Sequence, residues 1–137
     1  MSYLLDTNVI SELRKGGRAD ANVTAWFAGL ADEEIFVSVL TVGEIRRGIE
    51  SVRRRDPDAA ASLDSWLARL SETHADRILF VDRAIAEEWG RMNVPDPLPV
   101  VDGLLAATAR VLGLTLVTRN LADVEGVDVK VLDPFES

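Results

Sequence analysis

The feature that most constrains the fold is a series of short apolar runs separated by segments of helical periodicity. Five runs rich in β-branched residues or leucine predict strands at Tyr3–Leu5, Ile35–Val39, Ile78–Val81, Thr115–Val117 and Val127–Leu132. Most are apolar at every position, which is typical of parallel strands buried on both faces. The pattern predicts a three-layer α/β fold, in which helices flank a central, mainly parallel sheet of about five short strands.

Helical segments between these runs have apolar residues three and four positions apart. They extend over Val42–Val52, Leu63–Leu70, Ile85–Met92 and Val101–Leu112. Pro57, between Asp56 and Asp58, predicts a turn between the first two helices, and the proline-rich residues 95–99 predict an extended loop that leads to Asp102. Gly113 is a candidate C-cap for the last helix.

The composition favours a single domain over residues 1–137, because 137 residues with 47% hydrophobic composition can bury one sizeable core. We expect a soluble, unexported chain, since the sequence has neither a long apolar stretch nor an N-terminal leader pattern. The absence of cysteine excludes disulfides, thiolate catalysis and cysteine-bound zinc, and it suits a cytoplasmic location.

Four acidic residues follow predicted strands or open a predicted helix: Asp6, Glu44, Asp102 and Asp123. In an open α/β sheet, ligands bind beyond the carboxyl ends of the strands, so these side chains could meet at one edge. Each also has an ordinary explanation: Asp6 or Asp102 could cap a helix, Glu44 could favour a helix dipole, and Asp123 could be a loop acid. Together they form an oxygen-only ligand set that suits Mg²⁺ or Mn²⁺ and metal-assisted hydrolysis.

The only histidine, His74, falls at the end of a predicted helix. We expect it at the surface and away from the acids, which argues against a histidine general base. Trp26, Trp66 and Trp89 lie on apolar helical stripes, and we interpret them as core or interface residues rather than base-stacking platforms.

Four segments resemble the motifs of PIN domains, specifically the VapC and FitB-type toxins of bacterial toxin–antitoxin modules. In order, they are LLDTNVISEL at 4–13, SVLTVGEIRRG at 38–48, DGLLAATA at 102–109 and LVTRNLAD at 116–123. The resemblance extends over essentially the whole chain. One departure is Val124, where the family often has an aromatic residue after the fourth acid.

The resemblance implies an endoribonuclease that depends on Mg²⁺ or Mn²⁺, with Asp6, Glu44, Asp102 and Asp123 as its acidic site. Asp6 and Asp102 would bind the metal directly, and Glu44 and Asp123 directly or through water. Residues that would orient these carboxylates or water are Thr7, Asn8, Thr118 and Asn120. It also implies a homodimer, a VapB-type antitoxin that occludes the site within a larger hetero-oligomer, and contact with operator DNA only through that antitoxin.

The net charge of −8 and the pI near 4.6 run against the usual footprint of a nucleic-acid binder. Contact with RNA, whether tRNA, rRNA or mRNA, would therefore need a local basic patch. The candidate arginines are Arg46, Arg47, Arg53, Arg54 and Arg55, and a second candidate patch is formed by Arg14, Lys15 and Arg18. The first group would equally suit a solvated helix end.

Two other functions fit part of the pattern. A phosphohydrolase could use Asp6 as its nucleophile, although such enzymes usually place a second aspartate two residues later, where this chain has Asn8. A PIN fold that only binds RNA or protein is the other alternative, and all four acids are present to argue against it. A receiver-like signalling domain ranks below both.

Overall fold

The computed structural model describes residues 1–136 and contains a sheet of five parallel strands in the order β3-β2-β1-β4-β5. The strands are β1 (Tyr3–Leu5), β2 (Ile35–Ser38), β3 (Ile78–Leu79), β4 (Thr115–Val117) and β5 (Val131–Leu132). Strand β1 lies at the centre and pairs with β2 on one side and β4 on the other. The prediction of a parallel α/β sheet is confirmed.

Six α-helices surround the sheet: α1 (Thr7–Leu13), α2 (Ala21–Ala28), α3 (Val39–Arg53), α4 (Pro57–Thr73), α5 (Arg83–Met92) and α6 (Val100–Leu112). Five begin at a residue whose side chain accepts a hydrogen bond from a first-turn backbone N–H, namely Asp6, Asp20, Ser38, Asp56 and Asp82. Within residues 1–136, no helix combines the length and apolar composition that crossing a bilayer requires.

The sheet separates two apolar clusters, which makes the fold three-layered. Neighbouring residues of β1 face opposite sides, so Leu5 joins one cluster and Leu4 the other, and both are buried. The Leu5 cluster is formed largely with α1, α2, α3 and α4. The Leu4 cluster is formed largely with α6, whose small residues Ala106 and Ala109 are completely buried.

Three strands are shorter than predicted. Strand β2 stops at Ser38 because this side chain caps α3, which starts at Val39. Strand β3 stops at Leu79, shortly before Asp82 caps α5. The apolar run from Val127 forms turns up to residue 130, and only Val131–Leu132 pairs with β4. Apolar character alone does not mark where backbone pairing begins.

Helix α6 ends, as predicted, at Gly113, which adopts a left-handed conformation with φ of 69°. We expect Gly113→Ala to lower the free energy of unfolding by about 1 kcal/mol, because a Cβ is disfavoured in this region. Gly90→Ala is the matched control: Gly90 lies inside α5 with open space around it, so alanine should stabilise by about 0.5 to 1 kcal/mol. Urea denaturation of both variants measures the difference, and equal effects would contradict the prediction.

Candidate active site

The carboxyl ends of the parallel strands lie at one edge of the sheet, and the four acids are positioned from that edge. Asp6 directly follows β1, and Glu44 lies in the second turn of α3, which follows β2. Asp102 is in the first turn of α6, and Asp123 belongs to the 3₁₀ turn Leu121–Val124, which follows β4. The sequence places these residues up to 117 positions apart (123 minus 6), yet they act on one another electrostatically.

Asp6 is the most buried of the four acids, with 4% of its surface exposed. One carboxylate oxygen, Oδ1, accepts the backbone N–H of Thr7 at 2.6 Å. The other, Oδ2, accepts the Thr118 hydroxyl at 2.8 Å and the Asn8 amide at 3.4 Å. Asp6 is therefore the N-cap of α1 and also a member of the acidic group. The two explanations that the sequence offers for this residue are compatible.

Thr118 and Asn8 bridge the ends of β1 and β4. The Asn8 amide donates to the Thr118 hydroxyl oxygen at 3.3 Å, and its carbonyl oxygen accepts the backbone N–H of Arg119 at 3.2 Å. The Thr118 oxygen also accepts the backbone N–H of Asn120 at 3.0 Å. Asn120 contributes to this network through its backbone N–H.

Thr7 holds the second acid. Its hydroxyl donates to Glu44 Oε1 at 2.5 Å, which ties α1 to α3 at the mouth of the site. Because Thr7 also donates its backbone N–H to Asp6, one residue fixes two of the four carboxylates. Of the four residues expected to orient the acids, Thr7, Asn8 and Thr118 therefore contact a site carboxylate with their side chains.

The acids repel one another. Burial and the nearby carboxylates of Asp6, Asp123 and Glu44 together raise the pKa of Asp102 to about 6. A hydrogen bond from protonated Asp102 to Asp123 acts in the same direction. Burial also raises the pKa of Asp6, against the opposing hydrogen bonds from Thr118 and Thr7. A cation between these groups would relieve both effects.

The donor set fits a hard divalent cation, since it consists of carboxylate and hydroxyl oxygens. Within residues 1–136, no three acidic or histidine side chains already enclose a common point at ligand distance. Mg²⁺ commonly keeps several waters and takes only one or two carboxylates directly.

The predicted RNA-contact arginines divide into two groups. Arg46 and Arg53 both pair with Asp64, at 2.6 and 2.9 Å, and with Glu50. The pairs with Asp64 join α3 to α4. Together with the pairs to Glu50, they neutralise the charge of both arginines. No ion pair in the described part of the chain involves Arg47, Arg54 or Arg55, and all three are exposed.

A groove that sequence reasoning missed adjoins the acids. It lies between α1, α3 and α4, has a volume of about 320 Å³, and contains Thr7 and Glu44 together with Arg14 and Trp66. The Arg14 guanidinium lies over the Trp66 ring, 6.0 Å from its centroid. The available signal was the helical phase of α3, in which Gly48 falls one turn after Glu44 on the same face.

The prediction that His74 lies at the surface is wrong. His74 ends α4, and its ring turns inward, with 8% of the residue exposed. It lines a small apolar cavity, and Arg77 approaches Nδ1 at 3.4 Å. Burial and the Arg77 charge lower its pKa, which favours the neutral ring. The ring forms one wall of this cavity, together with apolar residues of α2 and α4.

Comparisons with known proteins point to one family. A model of the PIN domain matches residues 3–124. Toxin FitB of Neisseria gonorrhoeae is 30% identical, and the match covers 96% of this chain and 97% of FitB. The VapC ribonuclease Y4jK of Sinorhizobium fredii is 29% identical, with 97% of each chain covered. The crystal structure of FitAcB from Neisseria gonorrhoeae has a TM-score of 0.90 at 30% identity, and covers 98% of this chain and 99% of that chain.

The raised pKa of Asp102 predicts a pH-dependent stability in the absence of metal. Its pKa is about 6 in the folded chain, against about 3.9 when unfolded. The protonated carboxyl therefore favours the folded state below about pH 4, and this stabilisation is lost as the pH rises through about 6. We expect the free energy of unfolding of the native protein in EDTA to fall by roughly 1 to 3 kcal/mol, relative to that of Asp102→Asn, between about pH 4 and about pH 6.

Urea denaturation at several pH values measures the loss, with Asp96→Asn as the control because Asp96 is an exposed carboxylate outside the site. If the difference in free energy of unfolding between native protein and Asp102→Asn stayed constant from about pH 4 to about pH 6.5, the prediction of a raised Asp102 pKa would be wrong.

Proposed function

Because this chain belongs to the PIN-domain family, we propose that it is the toxin of a toxin–antitoxin module and a metal-dependent endoribonuclease. The observation that supports this most directly is the buried Asp6 carboxylate, fixed by protein donors beside an Asp102 whose pKa is raised to about 6. Carboxylates that repel one another lower the stability of the fold, and such groups are typical of functional sites. Binding of a cation and a phosphate would account for them here. The ribonuclease name of one relative and the toxin name of another agree with this proposal.

Asp6 and Asp102 would hold the metal directly, and Glu44 and Asp123 directly or through water. When bound, Mg²⁺ or Mn²⁺ would activate a water for attack on phosphorus and stabilise charge on the leaving oxygen. The protein positions the carboxylates that would bind it: Thr118 and Asn8 hold Asp6, and Thr7 holds Glu44. A carboxylate that is held in place loses little freedom when it binds a cation.

Asp102 and Asp123 have a second role in the proposed reaction. They share a hydrogen bond when Asp102 is protonated, so they offer a place where a proton can be held beside the cleavage site. Metal binding would displace this proton, since a ligand carboxylate must be ionised. We expect activity to rise with pH up to the range in which Asp102 is fully ionised.

The biological context follows from the same family. We infer that a VapB-type antitoxin neutralises the toxin, that the toxin forms a homodimer within a larger complex, and that operator DNA is contacted through the antitoxin. The site of action would be the cytoplasm, where tRNA, rRNA and mRNA are available. The whole chain, 1–137, would act as one PIN domain.

The decisive experiment measures cleavage of total cellular RNA by purified, antitoxin-free protein with Mg²⁺, with Mn²⁺ and with EDTA. We expect cutting only with metal, and a loss of roughly 1,000-fold in Asp6→Asn and Asp102→Asn, because each removes a metal ligand worth several kcal/mol. Asp96→Asn, purified identically, should cut like the native chain.

Equal cutting by all variants would reveal a contaminating nuclease. If the native chain cuts no RNA but hydrolyses a phosphate monoester, the alternative of a phosphohydrolase that uses Asp6 would replace the proposal. Binding of RNA without cutting would favour the non-catalytic PIN alternative.

Thr118 tests the positioning of Asp6. Thr118→Val removes the 2.8 Å hydrogen bond at nearly the same volume, so we expect Mn²⁺ affinity to fall by about 10- to 100-fold. Thr118→Ser keeps the hydroxyl and should recover most of this affinity. The measurement is Mn²⁺ binding by titration calorimetry, which does not depend on an RNA substrate. Equal Mn²⁺ affinity in Thr118→Val and Thr118→Ser would show that the hydroxyl does not position Asp6.

A further inference from the structure

The groove between α1, α3 and α4 is continuous with the acidic site. Thr7 and Glu44 line both, so a molecule in the groove would lie next to any phosphate held by the acids. The groove then extends along α3 past Gly48 towards Trp66 of α4 and Arg14 at the end of α1. We propose that it holds one unpaired nucleobase of the RNA, stacked between Trp66 and Arg14. This inference rests on the proposed ribonuclease function and concerns how the substrate is recognised.

The dimensions of the groove suit a single base. Pockets that hold small molecules in proteins have volumes of roughly 300 to 1,000 Å³, and this one has about 320 Å³. A paired helix would be too wide to enter it, whereas an unstacked base from a loop or single strand can be turned into such a space. The preference would therefore be for an unpaired nucleotide beside the scissile phosphate.

Arg14 lies over Trp66 without touching it closely. The Arg14 guanidinium carbon is 6.0 Å from the centroid of the Trp66 ring, whereas stacked groups in direct contact are about 3.5 Å apart. Two stacked contacts at van der Waals distance need about 7 Å, so a base could fit between them after an outward shift of Arg14 by about 1 Å. Arg14 is exposed, and within residues 1–136 no carboxylate forms an ion pair with it.

The two ends of the groove suit different parts of a nucleotide. The acids at one end would take a phosphate only together with a cation, as the proposed function requires. Arg14 is a cation at the other end, where it can stack on a base and also attract the adjacent phosphate. The apolar wall of Ile49, Val52 and Leu63 would cover the edge of the base.

Gly48 makes the proposal testable without touching Arg14 or Trp66. Gly48 lines the groove and a Cβ there would meet nothing within 4 Å, so Gly48→Leu should fold normally and narrow the groove. Gly90→Leu is a matched control, because Gly90 is also a helical glycine with open space but lies on α5, outside the groove. Melting temperatures of both variants verify folding.

The first measurement does not depend on cleavage. Neutral nucleosides (adenosine, guanosine, cytidine and uridine) are added at about 10 mM, where a Kd of about 10 mM gives half saturation. The indole N–H signal of Trp66 is followed by NMR and identified with Trp66→Phe. We expect at least one nucleoside to shift this signal in the native chain and in Gly90→Leu, and not in Gly48→Leu.

The second measurement uses the RNA site mapped in the cleavage experiment, with each nucleotide beside the cut replaced in turn by an abasic one. We expect one position to lower kcat/KM by roughly 5- to 100-fold in the native chain, the size of a lost base stack. Gly48→Leu should lower it similarly on normal RNA and suffer no further loss on the abasic RNA. Arg14→Met should give an intermediate loss.

The two measurements separate this proposal from the nuclease assignment. A nucleoside shift with no RNA cutting would keep the base pocket and overturn the nuclease proposal. RNA cutting with no nucleoside shift, and with equal kcat/KM for Gly48→Leu and Gly90→Leu, would overturn the base pocket. If Gly48→Leu then escaped inhibition by an antitoxin, the groove would belong to a protein partner instead.

Discussion

The burial of one carboxylate at the end of the central strand determines the layout of the site. Asp6 follows β1, which has neighbours on both sides, so its side chain emerges where the ends of β2 and β4 also converge. Burial there would favour the neutral acid, and the hydrogen bonds from Thr7, Thr118 and Asn8 oppose that tendency. Those same bonds join α1 and the segment after β4, so fixing the acid also fixes the elements that carry its neighbours.

The sequence predicted the parallel sheet and the positions of the four acids because both depend on local patterns. Buried parallel strands are apolar throughout, and loops at their carboxyl ends bear the functional groups. Strand ends were less predictable, because Val39 and the residues from Val127 are equally apolar in a strand, a helix or a turn. What decides between them is a cap such as Ser38, whose hydroxyl contact becomes visible only in three dimensions.

Long-range contacts explain the remaining differences. His74 is buried beside a cavity whose other walls come largely from residues distant in the chain, and helical phase says nothing about such contacts. Arg46 and Arg53 meet Asp64 across the α3–α4 pair, so a run of arginines that seemed available for RNA is partly neutralised. Arg14, by contrast, stands over Trp66 because two helix ends meet there, and neither residue has a sequence neighbour that predicts the other.

If this acidic chain cuts RNA as proposed, metal binding and RNA binding must depend on each other. Without a cation, four carboxylates at the groove mouth would repel phosphate, and burial together with their mutual repulsion raises the pKa of Asp102. A bound divalent ion would cancel part of this charge and attract phosphate, so it would strengthen RNA binding, and by reciprocity bound RNA would strengthen metal binding. Arg14 lies at the far end of the groove, where it can attract RNA without competing with the metal for the carboxylates. The placement of opposite charges at opposite ends would reconcile a net charge of −8 with the proposed polyanionic substrate.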